Sequence, residues 1–160
     1  MTDKEAMAQA RQAVESEHYE AAEVALRPLL KREVPEALYL YACFGLPNES
    51  DEQFEVRRFW YLHQAARLAH PEALYSLAVM HDCGDQAVRS SELAFCYFRL
   101  AANAGKAEAK LSYGLDLFYG TNGVLPDAYR GLELVKQACD VGVDGACEAL
   151  EGMLSKQGLR

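Results

Sequence analysis

The segment Pro35-Glu36-Ala37-Leu38-Tyr39 returns as Pro71-Glu72-Ala73-Leu74-Tyr75, displaced by 36 residues. Ala107-Glu108-Ala109-Lys110-Leu111 follows at the same step. The later halves repeat as well: Ala65-Ala66-Arg67-Leu68-Ala69 pairs with Ala101-Ala102-Asn103-Ala104-Gly105 and then with Ala138-Cys139-Asp140-Val141-Gly142, the last step being 37. The extra residue falls in the glycine-rich stretch Gly120-Thr121-Asn122-Gly123, where a turn absorbs an insertion. A chain built this way is constrained to a repeat architecture, in which each unit buries its apolar face on its neighbours.

Apolar residues within each unit follow helical spacing, as in Ala73, Leu77, Met80 and His81, then Phe95, Phe98, Ala101 and Ala102. Two helices per unit are predicted. The first spans about 36–45, 72–83 and 108–119; the second spans about 53–68, 90–104 and 127–140. Pro35 and Pro71 suit a first helical position, and the acids after them favour the positive end of the helix dipole. Residues 1–34 read as a capping helical pair, Lys4 to Ser16 and Tyr19 to Lys31. The repeats then run 35–70, 71–106 and 107–143, and 144–160 holds a closing helix over Gly145 to Ser155 and a tail, all in one domain.

These residues resemble the Sel-1-like repeats, relatives of the tetratricopeptide repeats. The third unit carries the pattern best, in Ala109, Leu111, Tyr113-Gly114, Leu117, Gly120, Gly123-Val124, Asp127, Leu132, Glu133, Ala138 and Gly142. The second keeps Ala73, Tyr75, Leu77, Gly84, Ala94, Tyr97, Ala101-Ala102 and Gly105. The first is degenerate, with Ala42 at a usual glycine and no Gly-x-Gly turn around Asn48. The resemblance spans about 35–155 and implies an all-α, right-handed α/α solenoid of helix-turn-helix repeats. It also implies a non-enzymatic role in protein interaction, as an adaptor, regulatory or secretion-linked module, often bacterial.

In tetratricopeptide-type solenoids the first helix of each pair lines a concave face. The resemblance therefore places Glu36, Tyr39, Cys43 and Leu46, then Glu72, Tyr75, Val79 and Asp82, then Glu108, Leu111, Leu115, Phe118 and Tyr119 on that face. This aromatic and aliphatic stripe with an acidic edge is the expected partner surface. Aromatics supply interface energy, and glutamates steer a basic partner. Tyr39, Tyr75 and Leu111 equally suit core positions, and the three glutamates equally suit helix caps. Trp60 stands where the family pattern is polar and outward, beside Cys96 and Glu133 in the other units. It is expected either to pack on the amino-terminal pair or to anchor a partner. Asp116 replaces an apolar residue, and Lys110 or an outside cation is its expected partner.

Charge and cysteines set the setting. Sixteen Lys and Arg against 24 Asp and Glu give a net charge of -8, which disfavours nucleic acid and anionic membranes. The expected partner is a protein, and a basic one suits the charge. A charged amino terminus without an apolar run argues against a secretory signal, and the apolar run 37–46 is too short to span a bilayer. The cytoplasm is the expected compartment. Five cysteines make an odd count. Cys139 and Cys147 resemble the spacing of a secreted, cysteine-rich branch of the family whose pairs form disulfides, but on compartment grounds two reduced thiols are expected.

No phosphate loop, nucleophile elbow or Cys-x-x-Cys motif is present, so neither cofactor nor metal is expected. The nearest candidate for chemistry is His81-Asp82-Cys83 with His70, weighed against packing and turn roles for the same residues. His18 and His63 read as surface or packing residues. Three alternatives to the adaptor reading follow: an immunity protein neutralising a basic toxin such as a nuclease, an enzyme or small-ligand binder at His81 and Cys83, and self-association through Trp60 and the apolar ends of the solenoid.

Overall fold

The structure, a computed structural model, describes residues 2–158. Among these, the chain is helical throughout: α1 Asp3–Glu15, α2 Tyr19–Leu30, α3 Pro35–Ala42, α4 Asp51–Arg67, α5 Pro71–Cys83, α6 Ser91–Asn103, α7 Ala107–Tyr119, α8 Ala128–Asp140 and α9 Ala146–Lys156. None of these helices is long and apolar enough to cross a membrane. Helix starts follow the sequence closely. Thr2 and Ser50 form reciprocal capping boxes with Glu5 and Gln53, while Ser90 and Asp127 accept from the third backbone N–H of α6 and α8.

Helix ends explain the period. Val34 N donates to Leu29 O, His70 N to Ala65 O, Lys106 N to Ala101 O and Val143 N to Ala138 O, at 2.9–3.1 Å. In each case the preceding residue has positive φ: Glu33, Ala69, Gly105 and Gly142. This is the Schellman motif, recurring at the 36- and 37-residue steps seen in the sequence. Its acceptors Leu29, Ala65, Ala101 and Ala138 are all fully buried. The repeated alanines thus close a helix end and leave room for the next helix.

The fold comprises two compact units, one ending at Ala73 and the other beginning at Leu74. In the first, α1 packs on α2, α2 on α3 and α3 on α4. Its core gathers Met7, Leu26, Leu29, Tyr41 and Phe44 around buried alanines. The loop after α3 lacks the glycine turn of the other units, and Arg57 holds it instead. Arg57 donates to the carbonyls of Tyr41 and Phe44 and to both oxygens of Glu49, at 2.6 and 2.8 Å for the carboxylate. Its guanidinium also lies 4.7 Å from the Tyr41 ring centre. The ion pair holds the Glu49 carboxyl below its ordinary value.

In the second unit α6 packs on α7, α7 on α8 and α8 on α9. Helices α7 and α8 meet at two glycines, Gly114 and Gly131, where an added methyl would strike backbone atoms. Asp116 is 8% exposed and accepts from Thr121 Oγ1 at 2.5 Å and Asn122 Nδ2 at 2.9 Å. Its partners are therefore the turn that follows its own helix, not Lys110, because a short acid at the last turn reaches the adjacent hydroxyl and amide.

The thiol expectation is also corrected. Cys139 and Cys147 are joined as a disulfide, with Cα atoms 4.8 Å apart. Cys139 sits in the last turn of α8 and Cys147 in the first turn of α9, and the loop between them turns through Gly142 and Gly145, both at positive φ. Cys43, Cys83 and Cys96 are free and exposed.

Candidate functional site

The anticipated partner residues are distributed over both units, and each unit orders its share differently. In the first, Tyr39 is half-buried and stacks on the His70 imidazole, ring centres 4.8 Å apart. His70 in turn accepts from Ala73 N through Nδ1 at 3.4 Å, capping α5. Burial holds the His70 imidazole below its ordinary pKa, opposed by Glu72. Burial first, then Cys43, pushes the Tyr39 hydroxyl up to about 12. Cys43 donates from Sγ to the Tyr39 carbonyl. Glu36 is exposed and paired with Arg11, so its charge is neutralised within the unit. Leu46 packs against the core.

Trp60 lacks the cover expected from the amino-terminal pair. It is 54% exposed, with one edge against Tyr61 at 4.6 Å. Tyr61, the next residue, turns inward to the core instead. Adjacent helical positions face different directions, and Trp60 took the outward one.

In the second unit three of the anticipated residues converge. Tyr75 at the start of α5, with Glu108 and Leu111 on the first turns of α7, lines an open cleft of about 440 Å³. The opposite side comes from the α8–α9 loop, Val141 to Asp144. Lys106, the residue before α7, lies 5.4 Å from the Tyr75 ring centre and pairs with Glu108 at 3.0 Å. That hydrogen bond holds the Glu108 carboxyl below its ordinary pKa. Asp144 is exposed. The cleft thus combines an aromatic and an aliphatic surface with one internal ion pair and one outward acid.

The arrangement repeats with a change of chemistry. His70 and Glu72 stand to Tyr39 as Lys106 and Glu108 stand to Tyr75, one 36-residue step earlier. In both, a tyrosine from the first helix of one repeat meets the residue before the first helix of the next repeat, once as an imidazole stack and once as a cation over the ring.

Other anticipated residues do not line this cleft. Val79 and Asp82 are exposed farther along α5. Leu115 is half-buried, and Phe118 packs against Gly131 of α8. Tyr119 is exposed, edge-on to Phe118, with Lys156 4.5 Å from its ring centre. The cleft wall Val141 to Asp144 is not among the anticipated residues, although Gly142 and, just beyond it, Gly145 mark a turn there.

At the His81 and Cys83 candidate each side chain has its own setting. His81 is buried, its Nδ1 lies 3.0 Å from the Val88 carbonyl, and its ring stacks on Tyr97. Cys83 is exposed at the end of α5. Among the described residues no group of three His, Cys, Asp or Glu is placed to hold a metal. His63 packs edge-on against Phe59 at 4.5 Å, and His18 is exposed ahead of α2.

No family model and no curated protein matches the sequence. Solved structures do match. A Sel1 repeat protein from Oxalobacter formigenes superposes with a TM-score of 0.72 at 23% identity, over 81% of this chain and 96% of that one. A protective antigen of uropathogenic Escherichia coli strains, displaying an SLR fold, gives 0.70 at 25% identity, over 86% of this chain and 29% of that one. Cysteine rich protein B of Helicobacter pylori gives 0.57 at 16% identity, over 90% of this chain and 96% of that one.

Proposed function

We propose that this chain, which has the all-α solenoid fold of the Sel1-like repeat proteins, is a non-enzymatic interaction module that holds a segment of a protein partner in the Tyr75–Leu111 cleft. Folds of this kind serve protein interaction broadly, and the role of a particular chain follows from its site. The observation that carries the reading is the cleft itself: open, lined by Tyr75 and Leu111, with Val141 exposed beside them. These apolar side chains share the lining with the polar groups of Glu108, Ser112 and Asp144, so a bound segment meets both an apolar contact and polar groups that fix its orientation.

The partner's chemistry follows from the charges. Lys106 offsets Glu108, which leaves Asp144 as the cleft's outward charge on a chain of net -8. A segment carrying one basic side chain beside an apolar one suits this pattern, the acid contributing to encounter rate and register more than to affinity. An adaptor or regulatory role, secretion-linked or otherwise, is consistent with such binding. The Cys139–Cys147 bond weighs against the cytoplasmic expectation and toward a compartment that keeps thiols oxidised.

Affinity capture from the native cell extract at low and high salt, with wild type beside Tyr75→Ala and Leu111→Asp, tests the proposal. One stoichiometric partner retained by wild type and lost by both variants supports it. A partner retained equally by all three places binding elsewhere and removes the cleft.

A further inference from the structure

The loop that walls the cleft is longer than the corresponding loop before it. Three residues, 104–106, separate α6 from α7, whereas five, 141–145, separate α8 from α9. Both begin with the same closure, Lys106 N to Ala101 O and Val143 N to Ala138 O. Helix α7 starts immediately after Lys106. After Val143, Asp144 and Gly145 intervene before α9. The disulfide spans this longer stretch, tying the last turn of α8 to the first turn of α9. Its bonded loop contains Val141, Gly142, Val143 and Asp144, the residues that face Tyr75, Glu108 and Leu111 across the cleft.

We propose that the Cys139–Cys147 bond is a redox latch on this cleft. Oxidised, it holds residues 141–144 as a fixed wall. Reduced, it leaves a lengthened, glycine-containing loop free to move, and whatever the cleft holds is bound more weakly. The inference rests on the cleft reading above. Cys147 is exposed, so a dithiol reductant has access to its sulfur. One reductant thiolate attacks Cys147 Sγ, forming a mixed disulfide and releasing Cys139 as a thiolate that takes up a proton. The second reductant thiolate closes onto the first reductant sulfur and displaces Cys147, which is protonated in turn. Two electrons and two protons pass to the protein, and the reductant leaves as its disulfide.

Amide hydrogen exchange of the full chain, with and without dithiothreitol, reads the latch directly. On reduction the amides of Val143 and Ala146 are expected to exchange at least about tenfold faster, as local opening becomes easier. Amides of the other unit, such as Ala22 and Leu26, serve as the internal reference and keep their rates. A Cys139→Ser, Cys147→Ser variant should show the reduced rates in both conditions, which separates this bond from the three free thiols. If that variant fails to fold by circular dichroism, the wild-type comparison decides. Equal rates across 141–146 in both redox states overturn the latch, since the backbone closures then hold the wall alone.

Titration of the captured partner separates the latch from the reading beneath it. Affinity at least about tenfold weaker after reduction supports the latch. A loosened wall with unchanged affinity overturns the latch and leaves cleft binding standing. Binding that survives Leu111→Asp removes the cleft reading, and the latch falls with it.

Discussion

Gly131 faces Gly114 across the α7–α8 contact so closely that a methyl carbon on Gly131 would lie 2.6 Å from the Gly114 carbonyl oxygen. The same carbon would lie 2.8 Å from Phe118 N, and one on Gly114 would lie 2.9 Å from Gly131 O. Backbone atoms cannot rotate aside as a side chain does, so the helices must separate.

Gly131→Ala is therefore expected to destabilise the protein by about 1–3 kcal/mol, the usual cost of overpacking. Gly152 supplies the matched control, since it too lies inside a helix but has open space where its methyl would go. Gly152→Ala should stabilise by about 0.5–1 kcal/mol through helix propensity. Urea midpoints measured side by side check the opposite signs.

Arg57 and Glu49 form an ion pair whose side chains are only 13% and 10% exposed. Arg57→Ala removes it together with two bonds to backbone carbonyls, and a loss of about 3 kcal/mol is expected, because a carboxylate stays behind without its partner. The pair also predicts a pH dependence. The folded Glu49 pKa is depressed from 4.5, so its contribution is present above the unfolded value and is lost as pH falls through the folded one. Glu49→Gln should flatten this acid limb while lowering stability at neutral pH. Urea unfolding of both proteins from neutral to acid pH measures it.

Ala69 occupies a left-handed backbone position at φ 57°, where the corresponding residues of later units are Gly105 and Gly142. That conformation costs an L residue roughly 1–2 kcal/mol, partly offset by glycine's larger unfolded-state entropy. Ala69→Gly is expected to raise stability by about 0.5–1 kcal/mol, seen as a higher urea midpoint.

The repeat made the fold legible. Ala65, Ala101 and Ala138 mark helix ends because those ends close through the same hydrogen bond each time. The candidate site was only partly legible. Tyr75 and Leu111 lie at equivalent positions of adjacent repeats, and Glu108 repeats Glu72, so a register argument finds them. Val141 to Asp144 belong to the turn before the closing helix, which a register argument confined to the first helices of the repeats does not reach. Lys110 is the wrong partner for Asp116 because charge alone points to a nearby cation, whereas Thr121 and Asn122 hydrogen-bond the carboxylate. The thiol expectation fails because it sets the expected compartment above the eight-residue spacing, which resembles that of disulfide-forming relatives. Gly131 was overlooked, although a glycine inside a helical pattern signals a close approach.

Site-directed photocrosslinking tests the central claim most directly. A photoreactive phenylalanine analogue is placed at Leu111 in one protein and at Trp60 in another, and each is irradiated with the captured partner. The cleft account predicts a crosslink to one short partner segment from position 111 and none from position 60. A crosslink from position 60 with none from position 111 would contradict it and move the binding surface to α4.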